Sequence, residues 1–414
     1  MKIPRHESTT AQLGAAYPFV SGSVLPSERV VIGRDLSGLS FAYDPFDLYQ
    51  AGVLTNPNMV VLGQVGRGKS ALVKSYLYRQ YAFGRRIVVI DPKGEYGPLA
   101  AAVGGEIVRL TVDGTRAFNP LGSQRWAGDQ ADVGALEHSV LEGICAASLG
   151  RRLDAGESVA LQVALVATRR ESRSVTLRSI RDRLFCPSSQ DAHGIGIARD
   201  RLAQVGEMPG FAIARLLGGD FGSMFDADEA REIKFAARVL VVDVSDFYRS
   251  DALSVLLISL FGALQRVVMQ SGVPTIFVID EAWAVLANPL AASFIQTFFK
   301  LSRSLGVANV LVAHRPSDIT GEYGESFSGS AAVTPSALPG LISDCEMVVT
   351  YALSVREALL AQRLFGLNDR QCGLLTGLGR NVALWRVANR VSLVRHHLSE
   401  AEMSFVDTDA RMRL

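Results

Sequence analysis

The segment GQVGRGKS at 63–70 carries the clearest sequence signal for a chemical function. It fits the pattern GxxxxGK[ST], follows the apolar run NMVVLG and precedes the helical pattern SALVKSYLYRQY. In such a turn, backbone N–H groups at a helix N-terminus surround the phosphates of a nucleotide, a lysine adds positive charge, and a hydroxyl can ligate Mg²⁺. The predicted phosphate-binding residues are Gly63, Gln64, Val65, Gly66, Arg67, Gly68, Lys69 and Ser70.

A phosphate site of this kind also needs acids at the end of a neighbouring strand. The segment TIFVIDE at 275–281 supplies an apolar strand that closes on two carboxylates. We expect Asp280, together with Ser70, to hold Mg²⁺, directly or through water, and Glu281 to polarise the attacking water. The alternative is that the two acids only cap the following helix, where negative charge is favourable.

Two further segments follow predicted strands. His314 comes after ANVLVA, where it could contact the γ-phosphate and transmit the loss of that phosphate to Arg315. The alternative is that His314 only shapes the turn before Pro316. DPKGEY at 91–96 follows RIVVI, so its charged side chains open onto the carboxyl edge of the sheet, where ligands bind in this architecture. Pro-Lys-Gly is equally suited to a turn without chemistry.

Arginines form the remaining candidates. A cation that reaches the γ-phosphate across a subunit interface would stabilise charge in the transition state. Arg303, expected to be exposed near the carboxyl edge, is our leading candidate, with Arg386 second; a solvent-facing arginine paired with an acid is the alternative. The segment 169–183 holds six arginines and two acids and could contact a nucleic-acid backbone, although a solvated helix face or a subunit contact is the alternative. Within it, we expect most of any binding from Arg169, Arg170 and Arg173.

The elements that must position these residues are short β-branched runs that alternate with helical patterns. Runs that end in Gly or Asp are typical of buried parallel strands. Between about 127 and 230, only helical periodicity is found, which predicts an inserted all-helical subdomain. The fold class is therefore α/β, with a mostly parallel central sheet. The predicted strands are 59–63, 86–91, 106–110, 238–244, 275–280, 308–313, 346–353 and 381–387.

The predicted domain organisation has four parts. They are a short β-rich lead-in at 1–55, a core at 56–126 and 231–395, the helical insertion at 127–230, and a C-terminal tail at 396–414. The lead-in sequence RVVIGRDLSGLSFAYD predicts two strands joined by a turn. Gly321–Gly340 lacks periodicity and is predicted to be a long functional loop.

Composition excludes several classes of protein. The 414 residues include 42 basic and 41 acidic side chains, so a net charge of +1 excludes a histone-like or acidic-tail protein. A hydrophobic content of 48% excludes a disordered chain. Four unevenly spaced cysteines predict neither a disulfide framework nor a zinc site. The N-terminal segment is polar, unlike a signal peptide. The longest apolar run, Ala252 to Leu264, is too short to cross a bilayer. These two features predict a cytoplasmic protein with at most peripheral membrane association.

Together, the motifs resemble those of the FtsK–HerA branch of P-loop motors, and within it the TraC-like (VirB-four) ATPases that power conjugation and type IV secretion. The resemblance rests on GQVGRGKS, IDPKGEYG, FNPL, VIDEAW and VAHRPSDI in family order, and covers roughly residues 55 to 390. It implies a RecA-like core, hydrolysis of ATP with Mg²⁺, and a homo-oligomer, expected to be a hexamer, at the inner face of the cell membrane. The family usually has Gln where His314 stands.

The resemblance also implies partners, namely channel subunits of a conjugation or secretion apparatus, and single-stranded DNA or a relaxase–DNA complex as substrate. A DNA-pumping relative, either HerA-like or a conjugative coupling protein, is the first alternative. Coupling proteins are expected to carry N-terminal membrane spans, and HerA-like enzymes a small β-barrel, and this sequence shows neither pattern. The second alternative is a subunit that binds ATP only to assemble, against which the two intact acids argue.

Overall fold

The structure is a computed structural model of the chain. It describes residues 25, 27, 29–111, 116–121, 130–172, 174–219, 221, 224–225, 237–248, 250, 252–286, 289–320 and 344–406. The predicted loop Gly321–Gly340 and Arg173 lie outside these residues.

A single sheet of eleven strands is found in the described residues. The strands are β1 Val31–Asp35, β2 Ser40–Ala42, β3 Met59–Leu62, β4 Arg86–Asp91, β5 Glu106–Arg109, β6 Val239–Asp243, β7 Thr275–Ile279, β8 Val307–Val312, β9 Met347–Thr350, β10 Val382–Val387 and β11 Arg390–His396. Their order across the sheet is β2-β1-β11-β10-β9-β3-β8-β7-β4-β6-β5. The run from β9 to β5 is parallel, and the four strands at the other end are antiparallel. The predicted α/β class with a mostly parallel sheet is confirmed.

The antiparallel end of the sheet differs from the prediction. β9 ends at Thr350 rather than Leu353, although Tyr351 still donates its N–H to the carbonyl of Leu62 in the paired strand β3. β11 was not predicted, since its sequence RVSLVRH carries an arginine or histidine at three of seven positions and follows β10 after a two-residue turn. β1 and β2 form the predicted strand pair of the lead-in.

Helices pack on both faces of the sheet. They are α1 Pro45–Gln50, α2 Lys69–Ala82, α3 Gly97–Ala102, α4 Gln130–Leu149, α5 Ala155–Glu171, α6 Leu177–Phe185, α7 Ser189–Gly194, α8 Arg199–Gly218, α9 Ala252–Ser271, α10 Ala282–Leu286, α11 Pro289–Leu305, α12 Pro316–Thr320, α13 Val355–Phe365, α14 Asp369–Leu375 and α15 Glu400–Val406. Alternate residues of β3 enter two hydrophobic cores, Val60 and Leu62 on one face and Met59 and Val61 on the other. This alternation fixes which face of the sheet each helix covers.

Five helices, α4 to α8, lie between β5 and β6 in the segment where only helical periodicity was found. Leu141 of α4 and Ile258 of α9 belong to one continuous hydrophobic core, so the insertion packs directly on the sheet-covering helices. The apolar run Ala252 to Leu264 forms most of α9 and is largely buried. Within the described part of the chain, no helix is long and apolar enough to cross a membrane.

Candidate nucleotide-binding site

Four neighbouring strands, β3, β8, β7 and β4, bring the predicted site residues to one edge of the sheet. Because these strands are parallel, the segments that follow their carboxyl ends lie side by side. The phosphate loop, residues 63–70, follows β3, and His314 follows β8. Asp280 and Glu281 follow β7, and DPKGEY overlaps the end of β4. The fold therefore collects at one place residues that are far apart along the chain.

The phosphate loop joins β3 to the 14-residue helix α2. Three of its glycines have positive φ, at 145° for Gly63, 76° for Gly66 and 108° for Gly68. A Cβ atom at Gly63 would overlap Tyr351, and one at Gly68 would overlap the side-chain oxygen of Asn381. Glycine is thus required both by the backbone conformation and by the close approach of two later segments.

Those later segments also bond to the loop through the main chain. Gln64 donates its N–H to the carbonyl of Ala352 at 3.0 Å, and Asn381 donates its N–H to the carbonyl of Arg67 at 3.0 Å. Asn381 itself has a φ of 60° and accepts an N–H bond from His396 of β11 at 2.9 Å. Sequence reasoning missed these supports of the loop, because the glycine pattern says nothing about which distant residues pack on it.

Lys69 is buried at the start of α2. Its ammonium donates to the carbonyl of Gly63 and to the carbonyl of Gln64, the latter at 3.0 Å. Burial lowers the pKa of Lys69 to about 8, although the carboxylates of Glu281 and Asp280 act in the opposite direction. A buried ammonium that its surroundings stabilise only in part is suited to contact an anionic phosphate.

Asp280, the first of the two acids after β7, is buried. Its Oδ1 accepts the N–H of Glu281 at 2.8 Å, and burial together with the charge of Glu281 raises the pKa of Asp280 to about 6. A carboxylate in this position is stabilised as an anion by a cation, so Asp280 fits the ligand set of Mg²⁺. No group of three His, Cys, Asp or Glu side chains among the described residues could hold a metal alone. A cation here would therefore also use the Ser70 hydroxyl and the phosphates.

Three side chains from three segments donate to the carboxylate of Glu281. Lys93 of DPKGEY and His314 Nε2, the latter at 2.9 Å, contact Oε1, and Trp283 Nε1 contacts Oε2 at 2.5 Å. Burial would raise the pKa of Glu281, but the hydrogen bonds from His314 and Lys93 lower it to about 2. Its φ of 49° is a conformation that costs a non-glycine residue about 1–3 kcal/mol. Glu281 is therefore an anion held in a fixed and strained position.

The sequence predicted the position of His314 but not the role of Lys93. His314 was expected at this edge near a phosphate, and the structure places it against the carboxylate of Glu281. The role of Lys93 was missed, although it lies in DPKGEY. Asp91 accepts the N–H groups of Lys93 at 3.3 Å and of Tyr96 at 2.8 Å, and Gly94 has a φ of 68°. This turn directs Lys93 toward Glu281, so the motif both forms a turn and reaches the site.

Arg303 lies at the opposite edge of the sheet from the phosphate loop of its own chain. It is near the C-terminus of α11, and its guanidinium donates to the carbonyl of Thr55, before β3, at 3.4 Å. The expected position near the carboxyl edge is wrong, because α11 runs back to the start of β8. The Arg303 guanidinium therefore does not reach the phosphate loop of its own chain. Arg386 instead donates to the carbonyls of Phe365 and Ala388, which gives it a structural role.

The basic segment 169–183 is largely paired within the insertion. Arg169 contacts Glu137 at 2.5 Å, and Arg183 contacts both Glu171 at 2.6 Å and Asp191 at 2.7 Å. Such ion pairs favour the alternative interpretation of this arginine-rich segment, namely a helix face that does not bind nucleic acid. Arg170 is exposed, so it is the more accessible of the two described arginines expected to bind nucleic acid.

Comparisons with known proteins agree with this geometry. Residues 50–118 match the family model of an AAA-like domain. No curated protein matches the sequence significantly. VirB4 of Thermoanaerobacter pseudethanolicus is similar in structure, with a TM-score of 0.70 and 19% identity over 92% of this chain and 99% of that chain.

Coupling proteins are similar to a lesser degree. The bacterial conjugative coupling protein TrwBdeltaN70 has a TM-score of 0.55 and 14% identity over 90% of each chain. The plasmid coupling protein TrwB, solved in complex with ADP and Mg²⁺, has a TM-score of 0.56 and 14% identity over 90% of each chain. With its mostly parallel sheet, phosphate loop and adjacent acids, the chain has the RecA-like P-loop NTPase fold of VirB4 and TrwB.

Proposed function

We propose that this chain is a Mg²⁺-dependent ATPase that energises conjugative or type IV secretion transfer of DNA or protein. The observation that carries the proposal is the convergence of the phosphate loop, Asp280 and Glu281 at the ends of neighbouring parallel strands. The likeness to VirB4, which extends over nearly the whole of both chains, supports the assignment to conjugation or secretion.

The site residues divide the work of hydrolysis. Lys69 and the amides of the phosphate loop bind the phosphates, and Ser70 and Asp280 hold Mg²⁺, which neutralises phosphate charge when bound. Glu281, an anion in a buried position, orients the attacking water and accepts its proton. His314 donates to Glu281 at 2.9 Å and keeps that carboxylate in place.

Assembly completes the site. Arg303 is exposed at the edge of the sheet remote from its own phosphate loop, which suits an arginine that acts on the site of a neighbouring subunit. The active form is then a homo-oligomer, a hexamer in our proposal, that works at the inner face of the membrane with the subunits of a transfer channel. Single-stranded DNA, alone or bound to a relaxase, is the proposed substrate.

Steady-state ATPase assays test the enzymatic part of the proposal. We expect the parent to hydrolyse ATP only with Mg²⁺, and Lys69→Ala to lose both hydrolysis and most ATP binding. Glu281→Gln should bind ATP normally or better while kcat falls about 10²–10⁴-fold, the usual worth of a general base. Near-parental turnover in Glu281→Gln would move the water-activating role to another residue.

A DNA-pumping coupling protein is the second candidate, favoured by the likeness to TrwB. Affinity purification from the host distinguishes the two, because a channel-bound ATPase retains channel subunits, whereas a DNA pump retains relaxase and DNA. Strong stimulation of ATP hydrolysis by DNA in the purified protein alone would favour the pump.

A further inference from the structure

We infer that Lys93 is a second phosphate-binding lysine, for which the Glu281 carboxylate and the γ-phosphate of a nucleoside triphosphate compete. The inference rests on the proposed function and adds to it a residue that makes the site prefer a triphosphate over a diphosphate. Lys93 lies on the turn after β4, outside the phosphate loop and outside the pair of acids.

The first step concerns the lone pairs of Glu281. A carboxylate oxygen has about two acceptor positions, and Oε1 already accepts from both Lys93 and His314. Oε2 accepts from Trp283 at 2.5 Å. For Oε1 to accept a hydrogen bond from an attacking water, one of its two donors must move away. In the observed arrangement both acceptor positions of Oε1 are therefore occupied.

The second step identifies the donor that moves. The Lys93 side chain is 36% exposed and that of His314 is 26% exposed, and Lys93 has the longer and more flexible stem. Lys93 follows Pro92 and precedes Gly94, whose φ of 68° belongs to a turn rather than to a regular element. Lys93 also lies close enough to Lys69 for its charge to lower the pKa of Lys69. A phosphate bound by Lys69 would therefore lie within the electrostatic reach of Lys93.

The third step concerns which anion Lys93 prefers. A terminal phosphate carries more negative charge than a carboxylate and offers several acceptor oxygens, so it competes well for a nearby ammonium. ADP lacks the γ-phosphate and would leave the pair of Lys93 with Glu281 undisturbed. Binding of a triphosphate thus recruits Lys93 and frees Oε1 of Glu281 in one event, whereas a diphosphate does neither.

Equilibrium binding of a non-hydrolysable ATP analogue and of ADP tests this competition, with Mg²⁺ present throughout. The measured quantity is the ratio of the two affinities in the parent, Lys93→Met, Glu281→Gln and the double variant. We expect the preference for the analogue to rank Glu281→Gln above the parent and the parent above Lys93→Met. In the Glu281→Gln background, Lys93→Met should lower the preference about 10-fold, the worth of one charge-assisted hydrogen bond.

Two further variants control the comparison. Lys300→Met, on the exposed surface of α11, makes the same substitution far from the site and should leave the ratio unchanged. Lys93→Arg retains the charge and should recover most of the preference. If Lys93→Met leaves the ratio unchanged in both backgrounds while Lys69-dependent binding persists, Lys93 only tethers Glu281 and the inference is overturned. If the parent shows no Lys69-dependent binding at all, the proposed function fails together with it.

Discussion

The carboxyl edge of the sheet and the helical insertion both concentrate charge, but they stabilise it in opposite ways. In the insertion, burial opposes ionisation of Asp191, yet hydrogen bonds from Ser188 and Arg183 lower the pKa of this acid. At the carboxyl edge, burial raises the pKa of Asp280 to about 6 and lowers the pKa of Lys69 to about 8. The insertion satisfies its charges internally, whereas at the edge Asp280 and Lys69 keep charges that only a charged ligand would satisfy.

This difference separates a structural from a functional cluster of ionisable groups. Paired groups contribute to the stability of the fold. Groups whose pKa values are shifted toward neutrality reduce that stability but are available for catalysis or ligand binding. Substitutions in the two regions should therefore affect stability and activity in opposite proportions.

The largest effect is expected from Asp280→Asn, which should abolish measurable hydrolysis and yet stabilise the fold. The raised pKa means that the Asp280 carboxylate weakens the fold progressively as pH rises from about 4 to about 6, and fully above that. Chemical denaturation should therefore show no gain for Asp280→Asn below pH 4 and a gain of about 2–3 kcal/mol above pH 6. A loss of stability for Asp280→Asn at pH 7 would show that the charges at the carboxyl edge are as well satisfied as those of the insertion.

The next effect concerns Arg303, which belongs to neither region. Arg303→Ala should lower kcat about 10³-fold, in the range measured for arginines supplied in trans. Mixed with Lys69→Ala, itself inactive, it should regain part of the parental activity, because some interfaces then join an intact phosphate loop to an intact arginine. Specific activity of the parent should also rise with protein concentration as subunits assemble.

Two results would contradict this assignment. Full activity of Arg303→Ala alone would show that the residue is not needed. Turnover by a strict monomer, independent of concentration, would remove the requirement for any residue supplied by a neighbour.

A moderate effect on stability alone is expected from Arg183→Met in the insertion. The substitution leaves Asp191, whose side chain is 7% exposed, without its cation, and should cost about 2 kcal/mol in the free energy of unfolding. The matched control is Arg181→Met, because the Asp182 partner of Arg181 is 60% exposed and the pair should be worth less than about 0.5 kcal/mol. Thermal unfolding measures both, and kcat of Arg183→Met should stay within about twofold of the parent.

The smallest effect is expected from Arg170→Ala, which tests whether the insertion also serves a ligand. One exposed arginine makes at most one backbone contact, so affinity for single-stranded DNA should fall only about threefold at low salt. The slope of log affinity against log salt should decrease by about 0.7. Fluorescence anisotropy over a salt series measures both quantities, and a fall of 100-fold would make this surface the principal nucleic-acid site.

Much of the fold and the centre of the site followed from the sequence. The strands β3, β4 and β7 are largely apolar runs that end at glycine or an acid, and β8 is a largely apolar run that precedes His314, so their positions and the residues after them were predicted. The contacts of Lys93 and Asn381 were not predicted, because they depend on strand order and on the close approach of distant turns. Periodicity identifies a strand but does not identify its neighbours.

The support of the phosphate loop by late segments has a consequence for synthesis of the protein. β3 pairs with β8, which begins at Val307, and with β9, which begins at Met347, and the loop itself bonds to Asn381. A ribosome that has translated the loop must still add most of the chain before any of these partners exists. Since such long-range pairing forms late, we expect the phosphate loop of the nascent polypeptide to stay unformed until these segments are made, and a prematurely terminated chain to lack a functional nucleotide site.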